Sequence, residues 1–137
     1  MLALNFFPDS EAAVHEMQSL ATPNGTVSAC VWDYADKMEF LRFFWDAAVT
    51  VDSNARELDE GQRFPLCRSG ALLDLFRDVG LGDLRCEPIE VQTVFADFDD
   101  YWQPLLGGTG PAPSYVASLD ADRRELLGRK LEAMLPR

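Results

Sequence analysis

The sequence predicts an α/β fold, a short parallel sheet flanked by helices, and three observations lead there. Residues 2–7 form an almost unbroken apolar run, as in a strand buried on both faces. A helix-period stretch and a turn separate it from a second β-prone run, residues 26–32, which together make a right-handed βαβ unit. Residues 83–95 form a third extended stretch. Leu84 and Cys86 lie on even positions, Ile89, Val91, Thr93 and Phe95 on odd ones, and Pro88 between them predicts a bulge or kink.

Each element follows from its residues. Pro8 stops the first strand, and Asp9 is placed to cap a helix carrying Ala13, Val14, Met17, Leu20 and Ala21 on one face. Thr22-Pro23-Asn24-Gly25 ends that helix, with Pro23 setting φ and Asn-Gly tolerating positive φ. Residues 37–51 form the next helix, capped by Asp36. Its apolar residues cover more than one face, so it needs cover on two sides or borders a pocket. Residues 52–62 read as a charged, solvated loop.

A helix beginning at Arg68 or Ser69 turns Leu72, Leu75, Phe76 and Val79 inward and stops at Gly80. Asp97 caps a short helix bearing Phe98, Tyr101, Trp102 and Leu105, which Pro104 bends or ends. Residues 107–113, rich in Gly and Pro, lack the preceding strand and following Gly-Lys-Ser/Thr of a phosphate loop. They read as a linker or a mobile connection over a pocket. Residues 120–135 form the last helix, with Leu126, Leu127, Leu131, Met134 and Leu135 inward.

Composition limits the function. The chain has 137 residues, one domain's worth, and is 47% apolar, enough to build a core. Its formal net charge of −11 argues against nucleic acid and anionic membrane surfaces. No apolar run approaches ~20 residues, the length that spans a bilayer. The N-terminus has no basic signal-peptide region, so a cytoplasmic location is expected. Cys30, Cys67 and Cys86 are widely spaced, with no CxxC pair, and read as core thiols. No clustered ligand pattern suggests a metal. The single histidine, His15, points away from Met17 and Leu20 and is expected at the surface.

Ligands of open α/β sheets bind beyond the carboxyl ends of the strands. That rule selects Asn5, Phe6 and Phe7 after the first strand, and Trp32, Asp33 and Tyr34 after the second.

The runs LALNFFPDSEAAVHEM and TPNGTVSACVWDY, then RFPLCRSGALLDLFRDVGL and IEVQTVFADFDDYWQPLLGGTGP, carry a resemblance over nearly the whole chain. It resembles the C-terminal portion of class I S-adenosylmethionine-dependent methyltransferases, in the small-molecule branch that includes ubiquinone- and menaquinone-biosynthesis-type enzymes. The resemblance implies a partial Rossmann-like sheet made of the fourth, fifth and sixth strands. Residues 1–137 would then be one domain, with 96–137 a helical lid-like segment. It also implies cofactor contacts at Asn5 and Phe6 and a catalytic Asp33 that orients or deprotonates a hydroxyl. Phe7, Trp32, Tyr34, Phe98, Tyr101 and Trp102 would form the wall for a small apolar or aromatic substrate.

In the family a glycine-rich loop and an acidic residue hold most of the cofactor, and both would lie upstream of Met1. The seventh strand would likewise follow Arg137. The expectation is therefore weak or absent S-adenosylmethionine binding by this chain alone. The alternatives are a non-catalytic remnant that binds a partner protein or apolar ligand, and a truncated product of a longer gene. Open strand edges at residues 2–7 and 84–95 predict a homodimer or larger assembly through edge pairing.

Overall fold

The computed structural model describes residues 3–136, and among them no strand is present. The chain divides into two compact units, Met1–Asp33 with Phe64–Ile89, and Tyr34–Arg63 with Glu90–Arg137.

In the first unit the expected first strand is instead a 3-10 turn, Leu4–Phe6. Leu2 lies outside the described residues. The amides of Phe6 and Phe7 donate to the carbonyls of Ala3 and Leu4 at 3.0 and 3.3 Å, and the Ser10 hydroxyl donates to Leu4. A buried strand with no neighbour would leave such groups unpaired, whereas a turn pairs them locally. Helix α1, Ser10–Leu20, is capped by Asp9, which accepts from the Ala12 amide at 2.8 Å. The turn after it closes with Gly25 N–H donating to Thr22, and Asn24 takes the positive φ of 62° that this geometry requires.

Residues 26–32 keep the exposure pattern of a strand: Val27, Ala29 and Val31 are half-buried, and Thr26, Ser28, Cys30 and Trp32 are exposed. Among the described residues they have no ladder partner. Helix α4, Ser69–Asp78, completes the first unit. It ends in a Schellman motif, with Leu81 N–H donating to Phe76 and Gly80 N–H to Arg77, and Gly80 at φ 88°. Leu4, Val14 and Val79 are the buried centre, packed by Ala29, Val31, Leu72, Leu75 and Phe76.

The second unit is organised on helix α2, Glu39–Val51. It starts two residues later than expected, and Asp36 is not its cap; Met38 occupies that position without a side-chain bond. Leu41, Phe44, Trp45, Ala47 and Ala48 are buried. As its two apolar faces require, it packs against three neighbours: a 3-10 segment, Ser53–Leu58, helix α6, Pro111–Ser118, and helix α7, Ala121–Met134. The short helix α3, Glu60–Arg63, follows the 3-10 segment. Phe44, Trp45 and Tyr115 meet with ring centroids 4.9–6.3 Å apart. Helix α5, Phe98–Gly107, runs through Pro104. Residues 107–113 are thus shared between the end of α5 and the start of α6.

These findings correct the expected fold. The partial Rossmann-like sheet of fourth, fifth and sixth strands is absent: residues 83–95 contain no strand, and Ile89, Val91 and Val94 are 79–81% exposed. Periodicity reports which side chains could face a core, but a sheet also needs a neighbour to accept its backbone bonds, and the described residues provide none. With no strand edge among them, assembly through strand edges loses its basis too. Among the described residues no helix is long and apolar enough to cross a membrane.

Candidate binding groove

Helices α5 and α7 build an open groove of about 460 Å³ in the second unit. On α5, Phe98, Trp102 and Leu106 recur every fourth residue and so share one face. Asp97 fixes the start of that helix by accepting from the Asp100 amide at 2.9 Å. The Phe98 and Trp102 rings stack 5.8 Å apart with planes only 15° from parallel. On α7, capped by Asp120 through the Arg123 amide, the same spacing lines up Arg124, Gly128 and Glu132, with the row Ala121, Glu125 and Arg129 alongside.

Tyr101 lies behind this wall. It is buried, and its hydroxyl donates to the Phe40 carbonyl at 2.7 Å. Burial pushes its phenol well above the usual range, so it stays neutral and acts as a strut. Phe95 packs edge-on against it, with centroids 5.0 Å apart.

Two features turn the groove from ordinary surface into a shaped site. Gly128 is buried in the interior of α7, where glycine costs about 1 kcal/mol relative to alanine. A Cβ there would sit 3.7 Å from the Trp102 ring, an ordinary contact, so packing does not demand glycine. What glycine leaves beside the indole is the space of one methyl group. The second feature is Arg124, half-buried and held by two carbonyls at the end of α6. Its Nε donates to Val116 at 3.2 Å and its Nη2 to Leu119 at 2.9 Å. It has no carboxylate partner among the described residues, whereas Arg129 pairs with Glu125.

A second cleft, of about 390 Å³, is lined by Arg42, Trp45, Asp46, Val49, Arg56, Asp59 and Gln62. Here the Arg42 guanidinium grips Asp59 with both terminal nitrogens, and Asp59 also accepts from the Gly61 amide at 2.8 Å. The hydrogen bonding of Arg42 to Asp59, outweighing the opposing effect of burial, raises the Arg42 pKa further. The Trp45 indole donates to Glu60 at 2.6 Å. Asp59 and Glu60, each 6% exposed, belong to the stretch expected to be a solvated loop. The correction has a local cause: α2 buries a guanidinium and an indole N–H, which need acceptors. Arg42 and Asp59 pair with each other here, and the cluster works as a clasp holding residues 53–63 on α2.

The structure brings Phe98 and Trp102 together as groove lining, with Tyr101 as their support; the other proposed site residues lie elsewhere. Tyr34 is buried in the second unit, where its carbonyl lies close to Gly61. In the first unit Phe6 is 56% exposed and meets Phe64 edge to face at 5.2 Å, and Phe7 and Trp32 are exposed. Asp33 is half-buried and adds to the burial that raises the Cys67 thiol to about 11. Asn5 is buried with both amide atoms unpartnered.

Neither cleft contains Asn5, Phe6 or Asp33. Compared with known proteins, the chain matches no family model, no curated protein and no solved structure. The residues do not fit S-adenosylmethionine. Their expected placement depended on strand ends that are not formed, and one orphaned amide beside a solvent-facing Phe6 does not hold an adenosyl group.

His15 is exposed, as expected, with Glu11 3.9 Å away. Among the described residues no group of His, Cys, Asp and Glu could hold a metal ion. Sequence reasoning missed Gly128, although a lone glycine inside a helical pattern was its signal, and Arg124, whose anchoring carbonyls no local pattern reveals.

Proposed function

We propose that this chain is a small-molecule-binding module that holds a flat, apolar ligand in the groove between α5 and α7. The half-buried Phe98 and Trp102 rings carry the reading, as a stacked aromatic wall along the groove. The volume lies within the range of small-ligand sites, and stacked aromatic rings suit a planar apolar body.

The test exploits opposite signs. Gly128→Ala removes the helix-interior glycine, so it is expected to stabilise the fold by about 0.5–1 kcal/mol. Gly128→Leu fills the space beside Trp102. With 1-naphthylmethanol as probe, calorimetric affinity should fall modestly in the first variant and vanish in the second. Unchanged affinity in a folded Gly128→Leu protein would defeat the proposal.

A further inference from the structure

The groove is electrically lopsided. On α7, Arg124 and Glu132 are separated by two turns, about 12 Å along the axis. Between them the lining is Gly128 and the Glu125–Arg129 pair, whose charges cancel. On the α5 side it is wholly apolar: Phe98, Trp102 and Leu106. One end therefore presents an uncompensated cation and the other an uncompensated carboxylate.

Arg124 is more than a nearby charge. Its Nε and Nη2 are fixed by the carbonyls of Val116 and Leu119, while Nη1 makes no hydrogen bond among the described residues. The side chain's conformational entropy is already lost in the unliganded fold, so an acceptor placed at Nη1 would not have to order it. Capping the end of α6 accounts for the two carbonyl bonds. It leaves Nη1 unused on a side chain that lines the groove.

We infer that the ligand is an aromatic carboxylate, its ring system against Phe98 and Trp102 over Gly128 and its carboxylate on Arg124. The inference rests on the groove being a ligand site. A guanidinium–carboxylate bond is among the stronger hydrogen bonds, and a half-buried position strengthens it further. Glu132 at the far end disfavours a second acid there, so the class is a monocarboxylate. A neutral or donor group at the end remote from the acid is compatible.

The test uses the unmodified chain and three ligands of one shape: 1-naphthylacetate, 1-naphthylmethanol and 1-naphthylmethylamine. Calorimetry at pH 7 should rank carboxylate above alcohol above amine, with about tenfold between the first two. Arg124→Lys keeps the charge but loses the fork, and should narrow that ratio by weakening carboxylate binding more than alcohol binding. If alcohol or amine binds as well as the carboxylate, the inference fails and the groove stands. If none of the three binds, both fail. If Arg124→Lys unfolds, the ranking on the unmodified chain still decides.

Discussion

Replacing Asp59 with alanine should be the most damaging polar substitution in the chain. Asp59 accepts two bonds from the Arg42 guanidinium and one from the Gly61 amide. The two side chains are 19% and 9% exposed, so water replaces little of what is lost. Removing one partner of a buried pair typically costs about 3–5 kcal/mol, because the other charge stays behind unpaired. Arg42 keeps some solvent contact, which places the loss near the lower end, about 3 kcal/mol. For a small unit that lowers the melting temperature by roughly 15 °C.

Urea unfolding followed by tryptophan fluorescence measures the loss, since Trp45 sits beside the clasp through its bond to Glu60. Asp59→Leu combined with Arg42→Met should recover much of it, because no unpaired charge remains. A loss under 1 kcal/mol for Asp59→Ala, or a double variant no better than the single, would refute the reasoning.

Other consequences are as direct. Gly80→Ala forces a side chain into φ 88° within the Schellman motif and should cost about 1 kcal/mol, read as a lower denaturation midpoint at unchanged slope. Under native conditions at pH 8, a thiol reagent should modify Cys30 and Cys86, which are exposed, well before buried Cys67. Burial first, and Asp33 second, raise the folded Cys67 pKa to about 11. The folded state thus disfavours the thiolate, so this contribution to stability is intact below the unfolded thiol pKa. It is lost as pH rises from about 9 towards 11, and Cys67→Ala should flatten that limb of the pH–stability curve.

The features that could be read in the sequence are those decided within a few residues. Asp9 and Asp97 cap the helices they precede, Thr22–Gly25 closes the expected turn, and Gly80 stops α4. The two-sided burial of α2 was likewise visible in its composition. The sheet was misread because its pattern was half right. Val27, Ala29 and Val31 do alternate inward, but strand pairing depends on distant residues that alternation does not report. Asp59 and Glu60 were misread for the same reason: an acid run is solvated unless something buried needs it, and Arg42 and Trp45 lie on another element. For the groove, the sequence singled out Phe98 and Trp102, together with Tyr101, which lies behind their rings. Its floor at Gly128 and its cation at Arg124 became meaningful only once α5 and α7 were placed together.

The binding groove can be tested at one atom. The chain has three tryptophans, and of these Trp102 lines the groove beside Gly128, Trp45 is buried at the clasp and Trp32 is exposed in the first unit. Their indole N–H resonances can be followed separately while 1-naphthylmethanol is titrated into isotope-labelled protein. The proposal predicts a saturable shift of the Trp102 indole with the Trp32 and Trp45 signals in place. A stationary Trp102 signal at millimolar probe, or a shift confined to Trp32, would contradict it.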